Sequence, residues 1–115
     1  MIKVVIKKTK DDAPYFFEVS GHAGYADPGK DIVCSAISAL TITFANSMES
    51  FTDDHVTIIE NTKQNIITID LPSIREGNAS KELLVLAKSL YLGITQVNDE
   101  YEHKYISVKE EITNA

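Results

Sequence analysis

Val33, Ile37, Leu40, Phe44, Met48 and Phe51 recur at spacings of four, three, four, four and three. This pattern is one apolar face of a long helix, and such a face must be covered. Leu83, Ala87, Leu90, Ile94 and Val97 repeat at four, three, four and three, which predicts a second amphipathic helix. The segments around them have a different period. Ile2, Val4 and Ile6 alternate with Lys3 and Lys7, and Tyr15 to Ser20 is rich in aromatic and β-branched residues. Val56 to Glu60, Gln64 to Leu71 and Tyr101 to Val108 read as further strands. The predicted order is β-β-α-β-β-α-β. Two helical stripes need one surface to cover, and a mostly antiparallel sheet supplies it. The expected fold class is α+β, a two-layer sandwich of a mostly antiparallel sheet and two amphipathic helices.

Local signals punctuate this order. Asp11, Asp12 and Pro14 predict a turn that makes the first two strands a hairpin. Asn61-Thr62-Lys63 joins a second hairpin. Pro28-Gly29 reads as a breaker after a glycine-bearing loop, Gly21 to Lys30, and Asp31 as the N-cap of the first long helix. Pro72 to Asn78 reads as a loop, and Ser80 as the cap of the second helix. The tail from Lys109 to Ala115 is expected to fray.

A length of 115 residues suits one domain, residues 1–115. The single cysteine excludes an intramolecular disulfide and any zinc site that needs two cysteines. A lone thiol suits a reducing compartment. The opening MIKVVIKKTK has no secretory pattern, and the longest apolar run reads as too short and interrupted to span a bilayer. The expected location is the cytoplasm. A formal net charge of −6 argues against broad nucleic-acid binding, which needs clustered cations to neutralise phosphates.

The chemistry concentrates in Ser20 to Leu40, which holds His22 and Cys34. A thiol is mostly protonated at neutral pH, and the thiolate is the nucleophile. An expected position in the first turn of a helix stabilises negative charge on Cys34 through unpaired amides and the helix dipole. His22 can take the thiol proton. The same amides can hold an oxyanion. Asp31 can orient the imidazole or act only as a cap. Ser38, one turn after Cys34, can hydrogen-bond near the site or only allow close packing. Gly21, Gly24, Pro28 and Gly29 shape the loop between base and nucleophile, where glycine lets a ligand backbone approach closely. His55 and His103 lie far from this stretch and read as surface strand residues, so neither a metal nor another cofactor is expected.

Gly21-His22-Ala23 and Asp31-Ile32-Val33-Cys34-Ser35-Ala36-Ile37-Ser38, at this separation, resemble the signature of the ribosomal-processing cysteine protease family, Prp. The likeness covers nearly the whole chain in length, element order and acidity. It implies a cysteine endopeptidase that removes a short N-terminal extension from the precursor of a bacterial large-subunit ribosomal protein. It also implies Cys34 as nucleophile, His22 as general base, a homodimer, and a His-to-Cys loop that moves for substrate.

Two other readings compete. One is a non-catalytic acidic dimer that binds a ribosomal or ribosome-assembly protein. The other is a redox protein, which the lack of a resolving cysteine weakens.

Overall fold

The computed structural model describes residues 1–21 and 28–113, and of 28–31 the backbone alone. The chain runs β1 (Ile2–Lys8), β2 (Pro14–Ser20), α1 (Pro28–Phe51), β3 (Thr57–Asn61), β4 (Ile66–Asp70), α2 (Pro72–Arg75), α3 (Lys81–Glu100) and β5 (Ile106–Ile112). The strands form one sheet in the order β3-β4-β2-β1-β5. β1 is antiparallel to β2, β2 to β4 and β4 to β3, while β5 runs parallel to β1. Both predicted hairpins and the predominance of antiparallel pairing are therefore present. Each long helix is a crossover between strands of like direction, α1 from β2 to β3 and α3 from β4 to β5.

Alternation sorts the two faces of the sheet. Ile2, Val4 and Ile6 of β1, Phe17 and Val19 of β2 and Ile69 of β4 are buried on the helix side. Val33, Ile37, Phe44 and Met48 of α1, with Leu83, Ala87, Leu90 and Ile94 of α3, close over them. Phe17 and Phe44 meet across the layers with ring centroids 6.4 Å apart. Phe51, at the end of the predicted stripe, is exposed because α1 stops there and has passed the core. The helices approach closely at Gly93, where a Cβ would stand 2.8 Å from Leu40 Cδ2.

Two polar clips hold the periphery. Lys8 is buried, and its Nζ lies 2.9 Å from Glu110 Oε1, 3.0 Å from Asp12 Oδ1 and 3.9 Å from the centre of the Tyr91 ring. This joins β1, β5 and α3. Asp54 accepts from the Ser73 hydroxyl at 3.0 Å, the Ser80 amide at 3.0 Å and the Ser80 hydroxyl. Ser80 in turn caps α3 by accepting from the Leu83 amide at 3.1 Å, as expected.

Several local expectations are corrected. α1 begins at Pro28, so Asp31 lies inside the helix and is not its cap. Proline suits a first helical position, because its missing N–H would have no partner there. Pro72 likewise opens a turn of helix, α2, within a segment read as loop. The tail does not fray at Lys109. β5 continues to Ile112 in register with Lys8, and the Thr113 amide donates to the Lys8 carbonyl at 2.9 Å. Tyr101 to Tyr105 is a turn, with φ of 57° at Glu102 and 62° at His103, and the strand begins only at Ile106. His55 and His103 accordingly sit outside strands. Ile32–Phe51, with mean hydropathy 1.3, is long and apolar enough to cross a membrane by length and composition, against expectation. Its interruptions are Ser, Thr and Asn with a single charged residue, Glu49, and its buried stripe is packed on the sheet.

Candidate active site

The candidate site stands at one end of the sheet, where β2 leaves and α1 enters. Ser20, the last residue of β2, pairs with Lys3 on one side and Ile66 on the other. The chain departs through Gly21, whose φ is +73° and where a Cβ would stand 2.8 Å from the carbonyl oxygen of Met1. Both the left-handed backbone and the close approach require glycine. Of the loop glycines read from the sequence, this one has a structural necessity on view. His22 follows at once, but His22 and Gly24 lie outside the described residues, as does the side chain of Asp31. Pro28 and Gly29, read as loop, are the first two residues of α1.

Cys34 lies on α1, half-buried, and packs against the hydrophobic core. It is six residues beyond Pro28 and so belongs to the second turn. This moves it off the unpaired amides of the helix start. In a regular helix its own N–H is committed to the carbonyl four residues earlier. An oxyanion site that includes the Cys34 amide, as expected from a start after Asp31, does not follow from this helix. The backbone places Asp31 one turn before Cys34 and the half-buried Ser38 one turn after.

Helical phase decides which way Cys34 opens. Ile32, Ala36 and Leu40 line a hollow with Gly93 and Val97 of α3. Cys34 is about 200° round the helix from Ile32 and from Ala36, on the opposite flank. There it is in phase with Ser38 and Ala45. Both the partly buried Ile67 of β4 and Cys34 pack against the core. Sequence reasoning found Cys34 and Ser38 but missed this setting. The helical period carried the signal for the flank, and strand order, which decides what faces it, did not show in the sequence.

Among the described residues, no group of three His, Cys, Asp or Glu side chains is placed to hold a metal ion. His103 Nε2 is 3.0 Å from Asp99 Oδ1 and its Nδ1 is 3.0 Å from the Asn98 amide, so both ring nitrogens serve the turn after α3. His55 is exposed.

The family model described as "Cysteine protease Prp" matches residues 1–107. This chain belongs to that family. Two solved structures are similar to it in fold. One is an essential ribosomal processing protease Prp from S. aureus in complex with a substrate peptide, 19% identical, with a TM-score of 0.84 over 96% of this chain and 100% of that one. The other is SMU.848 from Streptococcus mutans, 26% identical, with a TM-score of 0.84 over 98% of this chain and 96% of that one. The first shares the Prp fold. The ribosomal processing cysteine protease Prp of Bacillus subtilis (strain 168) is 33% identical over 48 residues, which span 42% of this chain and 43% of that protein. The matched segment is thus less than half the length of that curated Prp relative.

Proposed function

We propose that this chain is a cysteine endopeptidase that removes a short N-terminal extension from the precursor of a bacterial large-subunit ribosomal protein. The observation that carries the reading is the family match over residues 1–107, in a chain whose Cys34 lies on α1 and whose β2 ends at Ser20, two residues before His22 in the sequence. His22 takes the thiol proton, and the Cys34 sulfur attacks the scissile carbonyl. The tetrahedral intermediate collapses as His22 returns the proton to the leaving amine. Water, deprotonated by His22, then releases the acyl group and restores the thiol. Gly24 and the adjoining loop admit the substrate. Asp31 and Ser38 are candidates for orienting the imidazole and for hydrogen bonding beside the sulfur. No cofactor takes part in this scheme. The acidic chain acts in the cytoplasm, and its charge favours a basic protein substrate over RNA.

The reading includes a homodimer. The outer face of the two long helices supports it, with Ile32 53%, Ile42 61%, Val85 65% and Leu92 54% exposed. From Ile32 to Met48 the chain carries no charged residue. A second copy of this chain would cover that face.

The test is cleavage of the host's own ribosomal-protein precursor by the purified protein, with mass spectrometry of the products. One cut near the precursor's N-terminus, lost in both Cys34→Ala and His22→Ala, supports the reading. Binding without cleavage by the wild type, with the thiol kept reduced, overturns it in favour of a binding module.

A further inference from the structure

By helical phase the flank of α1 that carries Cys34 and Ser38 also carries Ala45, and there it meets the outer strand β3. Ala45 and Glu49, farther along α1, line a hollow with Ile58 of β3. In the β3–β4 register Ile58 stands opposite Ile69, and Glu60 opposite Ile67. Ile69 is buried in the core, so Ile58 and Glu60 also face the helix layer. That layer does not cover them. Ile58 is 40% exposed, and Glu60 is exposed. Phase and register thus set Cys34, Ser38 and Ala45 of α1 along one side of a path, and Ile67, Glu60 and Ile58 of the sheet along the other, a trough with Cys34 at its head. Its outer side is open, because β3 is the last strand of the sheet among the described residues.

The dimensions suit one occupant. From Cys34 to Ala45 the helix rises about 16 Å, at roughly 1.5 Å per residue. An extended peptide spans that in about five residues. Glu60 lies two residues from Ile58, toward Asn61, whose partner Ile66 pairs with Ser20 at the exit toward His22. With Ile58 taken level with Ala45, whose hollow it shares, Glu60 stands about 9 Å from Cys34 along the trough, or about three extended residues. The described residues lining the hollow around Ile58 include the exposed carboxylates Glu49 and Asp53 and no lysine or arginine.

We infer that this trough holds the substrate chain on one side of the scissile bond as an extended peptide. An apolar side chain rests on Ile58 and Ile67, and a cationic side chain about three residues from the cut faces Glu60. Ile58 and Glu60 are then specificity-determining residues. The inference rests on Cys34 as the nucleophile and deepens that reading by naming the substrate's chemistry.

Two measurements test it. In the first, peptides of the precursor's cleavage region carry Lys, Gln or Glu at each position within five residues of the cut. The wild type should prefer Lys at one position, about three residues away. Glu60→Lys should raise KM for that peptide about five- to tenfold with little change in kcat, and the Glu peptide should restore it. In the second, fluorescence anisotropy follows binding of the Lys peptide to Cys34→Ala, with and without Glu60→Lys or Ile58→Glu. Both additions should weaken it by a similar factor. Unchanged KM and unchanged binding in the Glu60 and Ile58 variants, all melting like the wild type, overturn the trough. Should the wild type cut nothing, the protease reading fails by itself. Loss of Lys-peptide binding in the second experiment then still supports the trough as a peptide site, and retention of it refutes the trough.

Discussion

The carbonyl oxygen of Met1 occupies the place where a side chain at Gly21 would begin, 2.8 Å from an ideal Cβ. The start of the first strand thereby dictates the residue at the end of the second, one position before His22. The left-handed φ of +73° adds a second penalty to any substitution there. Gly21→Ala should cost about 1–3 kcal/mol, since backbone cannot yield as a flexible side chain can. Its effect on cleavage should exceed its effect on folding, because the displaced exit carries the proposed base. Comparing kcat/KM with the denaturant midpoint for this variant checks the order of the two losses.

Lys8 ties β1 to β5 and α3 through Glu110, Asp12 and the Tyr91 ring. Burial disfavours its charge, but the hydrogen bonds it donates to Glu110, Tyr91 and Asp12 outweigh burial and hold its pKa above the ordinary lysine value. The hydrogen bond from Lys8 holds the Glu110 carboxyl below its ordinary value, against the opposing effect of burial. A depressed carboxylate contributes stability that is complete above its unfolded pKa, about 4.5, and is lost as pH falls through the folded value. The raised lysine contributes below its unfolded value of 10.5 and loses that contribution only as pH rises through the higher folded value. Lys8→Met should therefore cost about 1–3 kcal/mol at pH 7, and the cost should shrink on acidification below the ordinary glutamate range. Urea midpoints of both proteins at stepped pH values measure this.

Asp54 joins the segment before β3 to α2 and to the cap of α3 by accepting from Ser73 and twice from Ser80. The Ser80 hydroxyl, then the Ser80 amide, hold its carboxyl below the ordinary value of 3.8, against the effect of burial. Its contribution is present above that value and lost as pH falls through the folded one. Asp54→Ala should destabilise by about 1–3 kcal/mol at neutral pH, leaving Ser80 still able to cap α3. Hydrogen exchange should show the loss concentrated in α2 and the first turn of α3.

Ile42 is 61% exposed within the stretch Ile32 to Met48 of α1, which carries no charged residue. Ile42→Glu should convert the proposed dimer to a monomer, read as a halved mass by light scattering, with an unchanged melting curve for the monomeric fold. A single mass for both proteins, equal to one chain, would remove the dimer from the proposal.

Much of this architecture was legible because helix and strand periods contrast sharply. The Val33-to-Met48 stripe and the Ile2-Val4-Ile6 alternation needed no tertiary information. The start of α1 was less so. Pro28-Gly29 carries the signals of a breaker, yet proline is also at home in a first turn, and local sequence cannot choose between them. That choice moved Cys34 from the first turn to the second. β5 was misread past Val108 because Lys109, Glu110 and Glu111 look like a solvated tail. Glu110 belongs to the fold through Lys8, a partner about a hundred residues away that local pattern cannot show. Strand order was similarly hidden, because it rests on pairings between segments distant in sequence.

The parallel pairing of β1 with β5 has a consequence for biosynthesis. β1 leaves the ribosome first and can zip to β2 almost at once, but its other edge waits for Ile106–Ile112. At roughly 5–20 residues per second, that edge stays open for about five to twenty seconds of translation. During this interval the nascent chain presents a strand bearing Ile2, Val4 and Ile6 with one row of backbone groups unpaired, a template for mispairing. Lys3, Lys7 and Lys8 along the same strand are the charges that discourage a wrong partner until the right one is made.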